Sequence, residues 1–324
     1  MSTKDKVLHD LLRSGGEPVS GQQMADALGV SRTAIWKCIK ELESEGYTIE
    51  SVRKKGYVLH RRSDEITDVR LSPYLETERY GRIVHTYESC ETTQMIAHDQ
   101  AQLGADEGTL IVTDEQTAGR GRLMRPWSSP NGQGIWMSLI IRPNLSMKEA
   151  PQVTLVTAVA IVRALETVAS IDPVIKWPND LLVGGKKIAG ILTEMQADPD
   201  QVQALIVGIG LNVHQQPSDF PDELKDEATS IAIETGETIE RARLVAAIMN
   251  EMERFIDMYE KNGFEPIKLL WESYAVTTGQ RIRARLVDEV IEGIARGISD
   301  DGLLQIEEDD GTIRSLYSAD VTLQ

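Results

Sequence analysis

Along the 324 residues the spacing of hydrophobic positions changes character three times. Helix-forming stretches within Lys4–Ser14 come first. Met24, Ala25 and Leu28 then share one helical face, and Ile35, Ile39 and Leu42 share another. Gly29 ends the first of these helices because glycine accepts a left-handed backbone, and Ser31 stands where a cap of the second belongs. Tyr47–Val52 and Tyr57–Leu59 read as paired strands around a tip, Arg53-Lys54-Lys55-Gly56. Further on, helical and strand periods mix. Strands are predicted at Ile83–Tyr87, Thr109–Asp114, Ile135–Ile141, Val174–Lys176, Lys187–Met195 and Ala204–Gly210, and long helices at Val153–Ser170 and Arg241–Asn262. Toward the end alternation dominates: Gly279–Val287, Val290–Ile298, Leu303–Glu307 and Ile313–Leu316 are short strands, with turns at Asp300-Asp301-Gly302 and Asp309-Asp310-Gly311. The pattern predicts an α+β multidomain chain with units at 1–63, 66–270 and 271–324.

Composition narrows the class. Hydrophobic content of 41% with 26% charged residues fits a globular chain, and 5% aromatics make aliphatic packing dominant. No run of 18 uncharged apolar residues occurs and the start is not that of a signal peptide, so the expectation is a cytoplasmic protein with no membrane partner. Cys38 and Cys90 cannot build a disulfide framework or a metal clamp, and Cys38 reads as a packing residue. The five histidines, His9, His60, His85, His98 and His214, form no evident catalytic group. Net charge is −17, but residues 1–63 carry 11 Lys and Arg against 8 Asp and Glu, while the rest carry 23 against 43. That split is a cue to separate partners.

Residues 21–40 closely resemble a helix-turn-helix, whose second helix lies in the major groove of DNA. Ser31, Arg32, Thr33, Trp36, Lys37 and Lys40 point outward on that helix, and Arg53, Lys54 and Lys55 form the tip of a wing, as in a winged helix. The plainer alternative is a helical hairpin for protein contacts with a solvated basic tip.

Four central stretches could carry chemistry, each with a bland alternative. Gln116–Trp127 contains Gly119-Arg120-Gly121-Arg122, two flexible points between fixed cations that can meet phosphate oxygens, or a solvated loop. It lacks the Gly-Lys-Ser/Thr of a P-loop. Lys176-Trp177-Pro178-Asn179-Asp180 offers oxygens suited to a ribose, a water or Mg²⁺, or a structural turn. Lys187 begins a buried strand, either as an anion ligand or as a snorkelling surface residue. Gly208-Ile209-Gly210-Leu211-Asn212 ends a strand in close backbone approach and an amide.

In this order the stretches resemble the biotin–protein ligase family over nearly the whole chain, and the winged helix narrows the resemblance to the class that also represses transcription. The resemblance implies a class II synthetase-like mixed α/β centre and an SH3-like C-terminal β-barrel. It implies that Thr92, Thr93 and Gln94 bind the ureido end of biotin, a role hydroxyls and an amide can fill, although either threonine could equally cap a helix. Gln116 would lie beside the ligand ring, and Arg120, Gly121 and Arg122 would cover biotin and the adenylate with Trp127. Lys187 would contact the carboxylate and α-phosphate, with Lys176, Asn179, Asp180, Gly208 and Asn212 completing the site. Arg120, Arg122 and Lys187 would carry the catalysis. ATP and Mg²⁺ are implied as co-substrate and ion, biotin as substrate, and no metal site is expected in the protein itself.

The implied partners are a biotin carboxyl carrier protein of acetyl-CoA carboxylase, or of pyruvate carboxylase, operator DNA, and a second copy in a liganded homodimer. The adenylate would act as corepressor. Two departures stand out: Leu123-Met124 replaces a more basic, glycine-containing stretch, and Glu91-Thr92-Thr93-Gln94 replaces the commoner Asp-Ser-Thr-Asn. Phe220 is a loose candidate for the adenine site. A vitamin-sensing regulator without chemistry, and a lipoate or octanoate ligase, are the alternatives.

Overall fold

The computed structural model describes residues 2–14, 16–44, 47–61, 64–198, 201–286 and 288–324. The first unit is built from α1 (Thr3–Arg13), α2 (Gly21–Leu28), α3 (Arg32–Ser44), β1 (Thr48–Val52) and β2 (Gly56–Arg61). The stretches within Lys4–Ser14 form one helix rather than two, capped by reciprocal bonds between Ser2 and Asp5. Gly29 takes φ +65° at the end of α2, the left-handed stop that the sequence calls for. Val7, Leu11, Met24, Ile35, Ile39 and Leu42 close a small core of their own. β1 and β2 form an antiparallel hairpin with the basic tip at its turn. The unit boundary expected at residue 63 falls outside the described residues.

The central unit continues with α4 (Asp68–Leu71), β3 (Val84–Cys90), α5 (Thr93–Gln102), β4 (Leu110–Gln116), β5 (Gly134–Ile141), α6 (Gln152–Ala169), β6 (Val174–Lys176), β7 (Asp180–Val183), β8 (Lys186–Asp198) and β9 (Gln201–Asn212). It ends with α7 (Ile231–Thr235), α8 (Arg241–Asn262) and α9 (Glu265–Tyr274). Its seven-stranded sheet has the order β3-β4-β5-β9-β8-β7-β6; β3 and β4 are parallel, joined through α5, and the other pairs are antiparallel. All eight residues of β5 are buried, which explains its unbroken apolar run. On one face Ala97 and Ala101 of α5 meet Ile111, Ile140 and Ile206. Residues of α6, α8 and α9 join the main core with residues of the sheet. By length and composition α6 could cross a membrane, but 72% of it is buried inside the protein, and it serves as the central core helix.

Helix α9 runs through the expected break at 270/271, so the last sheet begins only at β10 (Arg281–Arg285). It continues with β11 (Val290–Ile298), β12 (Leu304–Glu307), β13 (Ile313–Leu316) and β14 (Asp320–Leu323), antiparallel in the order β13-β12-β11-β10-β14. Arg241 ties the first unit's connection to the centre. Only 3% exposed, it donates to Asp64, to the Gly134 carbonyl and to Asp114 on β4.

Candidate functional site

The end of β3 and the start of α5 place the first polar group. Thr92 caps α5, accepting from the Gln94 N–H, so this threonine has the capping role that its sequence also allowed. The Thr93 N–H donates to Gln116 Oε1 at 3.0 Å, and Thr93 Oγ1 lies 2.9 Å from Ser138 Oγ. Ser138 donates to Gln94 Oε1 at 2.8 Å. Gln94 Nε2 in turn donates to the carbonyls of Ile206 (3.1 Å) and Leu192 (3.3 Å), while Gln116 Nε2 donates to Ser129 Oγ. A neutral, buried network of amides and hydroxyls thus lies across β4, β5, β8 and β9. Its members are held in fixed orientations, ready for a ligand with matched donors and acceptors.

Glycines on β8 and β9 let a ring approach the sheet. A Cβ on Gly208 would stand 2.6 Å from Gln94 Oε1, and one on Gly210 would stand 2.5 Å from Trp127 Nε1. Gly190, paired with Gly210 across the ladder, lies against the six-membered part of the same Trp127 ring and against the end of Lys187. The order along the surface is therefore Gln94, Trp127, Lys187. Trp127 is pinned at the loop base by its N–H to the Gly119 carbonyl, and its indole N–H is buried without a partner.

Beyond Trp127 the site is charged. Lys187 Nζ lies 5.1 Å over the Trp127 ring and 2.6 Å from Asp180 Oδ1. Asp180 pairs with Lys176 across the β6–β7 ladder. Arg122 donates from Nη1 to Asn179 Oδ1 at 3.0 Å and from Nη2 to Ser318. Burial lowers the Arg122 pKa, against the pull of Asp180 and Asp320. A guanidinium withdrawn from water in this way gains strongly from a phosphate or carboxylate. Arg120 reaches Glu194 at 3.4 Å, and Glu194 also meets His98 at 3.0 Å. Asn179 Nδ2 donates to the Ile191 carbonyl, which steadies the turn.

Among the other expected residues, Gly121 closes the loop through its N–H to the Arg125 carbonyl. The Asn212 amide is used internally, by Thr229 and Gln215. Phe220 is 7% exposed and packs inside the fold.

The winged unit presents a second, separate surface. Arg32, Thr33, Trp36, Lys37 and Lys40 are exposed on α3, with Trp36 at 50%, and Arg53, Lys54 and Lys55 are exposed on the wing. A cleft runs between the two rows. Ser31 Oγ accepts from the Ala34 N–H at 3.1 Å, so it caps α3, and Lys40 pairs with Glu43 one turn on.

Comparison with known proteins shows the family. The Biotin/lipoate A/B protein ligase family matches residues 87–212, an HTH domain matches 5–58, and the Biotin protein ligase C terminal domain matches 277–323. The chain is 49% identical over 323 residues to the bifunctional ligase/repressor BirA of Bacillus subtilis, covering 99% of each chain. The chain belongs to the bifunctional ligase/repressor family. The BirA of Escherichia coli is 27% identical over 97% of this chain and 95% of its own. The biotin protein ligase of Aquifex aeolicus, solved in complex with biotin and ATP, superposes with a TM-score of 0.65 at 30% identity, covering 75% of this chain and 99% of that one. This ligase/repressor is thus an enzyme and a DNA-binding regulator in one chain.

Sequence reasoning missed Ser138, Ser129, Glu194, Ser318 and Asp320. Ser138 had a signal, since it is the one polar side chain in the apolar run Ile135–Ile141. Ser318 and Asp320 had none, because they reach the arginine loop from 196 and 195 residues away, respectively.

Proposed function

We propose that the chain condenses biotin with ATP to biotinyl-5′-AMP and transfers the biotinyl group to a lysine of a biotin carboxyl carrier protein. With the adenylate bound it acts as a homodimer on operator DNA and represses biotin genes, in the cytoplasm. One observation carries the enzymatic reading: a neutral amide–hydroxyl network and a cationic cluster flank the single ring of Trp127. A ligand with a urea at one end and a carboxylate at the other matches that order. The biotin and ATP bound in the Aquifex aeolicus relative support it.

In the first step a carboxylate oxygen attacks the α-phosphorus, the bond to the β-phosphate oxygen breaks, and pyrophosphate leaves. Two anions must approach, and Arg122, Lys187 and Arg120 offset their repulsion from fixed positions. Trp127 shields the reacting centre from water. In the second step the acceptor amine attacks the acyl carbon, AMP departs with the bonding pair, and the amine's proton passes to solvent. Thr93, Gln94 and Gln116 hold the ring system still through both steps.

The residues fit a Mg²⁺ carried in by the nucleotide. Asp180 is the carboxylate beside the cationic cluster, and among the described residues no three His, Cys, Asp or Glu side chains form a cage. Bound there, the ion would neutralise phosphate charge. The α3 and wing rows suit phosphates and base edges in the way that paired winged helices read a palindrome.

Intact-mass analysis of a carrier domain incubated with the protein, biotin and Mg-ATP tests the transfer. One biotinyl addition, lost when the acceptor lysine is replaced, is expected; an unchanged mass beside a biotinylated positive control removes the reading. For repression, operator affinity should rise when biotin and ATP are added together and not with either alone.

A further inference from the structure

We propose that Asp320 and Ser318 are positioning residues of the ligase reaction, forming a latch by which the C-terminal sheet holds the arginine loop closed over the adenylate. The inference rests on the adenylate-forming reading above.

The loop between Gly119 and Trp127 is fixed in two separate places. Its base is closed within the central unit, by the Trp127 N–H on the Gly119 carbonyl at 2.8 Å and by the packing of Trp127 on Gly190 and Gly210. Its tip is held from outside. Arg125 makes two parallel bonds to Asp320, Nη1 to Oδ1 at 3.1 Å and Nη2 to Oδ2, and Arg122 bridges from Asn179 to Ser318. A fork of this kind fixes direction as well as distance.

The tip needs such help. Leu123 and Met124 both adopt left-handed backbone, at φ +54° and +58°, and are 75% and 69% exposed, so burial does not hold them there; from within the loop Arg120 Nη1 reaches Met124 Sδ at 3.5 Å. Left-handed backbone without glycine persists only where surroundings enforce it. The bonds of the turn itself, Gly121 N–H to Arg125 carbonyl and Arg125 N–H to Arg122 carbonyl, close the turn but do not orient it toward the site.

The latch is wired into the charged cluster. Hydrogen bonds from Arg125 hold the Asp320 carboxyl below its usual range against the opposing effect of burial, and Lys176 and Arg122 add to it. The Lys176–Asp180 turn leans on the same sheet, through the Trp177 indole N–H on the Gly302 carbonyl at 3.3 Å. The C-terminal sheet thus touches both walls of the cationic pocket. Asp320 and Arg125 are half-exposed, so replacing Asp320 releases the tip without opening a core.

The test uses the full chain. Labelled biotinyl-adenylate is formed in place, and its release is timed after dilution into excess unlabelled biotin and ATP. Asp320→Ala is expected to release it roughly 3- to 10-fold faster than wild type. Biotin affinity measured without ATP should change less than about two-fold. Asp320→Glu, which keeps the carboxylate, should restore slow release, and Ser318→Ala should show a smaller acceleration. Unchanged release in Asp320→Ala overturns the latch. So does equal weakening of biotin alone, which marks general damage to the site, and so does an Asp320→Glu variant as fast as Asp320→Ala. Wild type that forms no adenylate at all removes the functional reading itself and the latch with it.

Discussion

Lys187 and Arg122 hold positive charge at the site by different means. Lys187 stands between the Asp180 carboxylate and the face of Trp127, while Arg122 is largely withdrawn from water and fixed by Asn179 and Ser318. Both hold their charge before any substrate arrives, which is the condition for electrostatic catalysis. Replacing either with alanine should lower the rate of adenylate formation by about 10²–10³. The melting temperature should stay close to wild type, since neither side chain lies in the core; a rate loss matched by a large fall in melting temperature would mean a structural role instead. Gly210 is the converse case. Its missing Cβ makes room for Trp127, so Gly210→Ala must push the ring away and should cost about 1–3 kcal/mol. Denaturant unfolding reads that loss, and quenched or shifted Trp127 fluorescence should accompany it.

Helix α8 shows how one element organises distant segments. Glu253 accepts three backbone N–H groups, from Glu78 (2.6 Å), Arg79 (2.8 Å) and Tyr80 (2.8 Å), and so anchors the segment before β3. Burial pushes its carboxyl up, but these N–H groups and Arg79 outweigh it, and the net shift is below the ordinary 4.5. A depressed carboxyl stabilises the fold fully above its unfolded value and loses that contribution as pH falls through the folded value. Acid unfolding should therefore begin below about pH 4.5. Glu253→Gln should remove about 1.5–3 kcal/mol at neutral pH and flatten the acid limb of the stability curve. An unchanged acid limb in that variant would contradict the assignment.

Long elements were readable from sequence: α6, α8 and β11 by length and spacing, and β5 by its unbroken apolar run. Some short strands were also readable, β6, β12 and β13 among them, but others were not. β7 and β14 have four residues each, and α9 begins with Glu265-Pro266 directly after a glycine turn, so its helical period is hard to separate from the end of α8. The binding network was half legible. Thr93, Gln94 and Gln116 came from the resemblance to the ligase family, but the neutral network also depends on Ser138 from a third strand, and the loop on Ser318 and Asp320 from another sheet. Local spacing carries no trace of such contacts.

The whole chain joins a basic reader to an acidic enzyme. In the first unit α3 and the wing expose Arg32, Lys37, Lys40, Arg53, Lys54 and Lys55, while the surplus of carboxylates elsewhere disfavours DNA at the rest of the protein. Each of Arg53, Lys54 and Lys55 that neutralises a phosphate should contribute about 0.9 to the slope of log affinity against log salt. Replacing one with alanine should shallow that slope by this amount while leaving adenylate formation intact; an unchanged slope would take the wing off the DNA. Arg241, bonded at once to Asp64 beside the first unit and to Asp114 two residues before Gln116, physically connects the two halves.

Activation of biotin by ATP at this site underlies both the transfer and the liganded repressor. ATP–pyrophosphate exchange by the purified full chain, run with biotin, lipoate, octanoate or no acid, tests it most directly. Exchange is expected with biotin alone, diminished by about 10²–10³ in Lys187→Ala. Exchange confined to lipoate or octanoate, or none with any acid while biotin still binds, would contradict it.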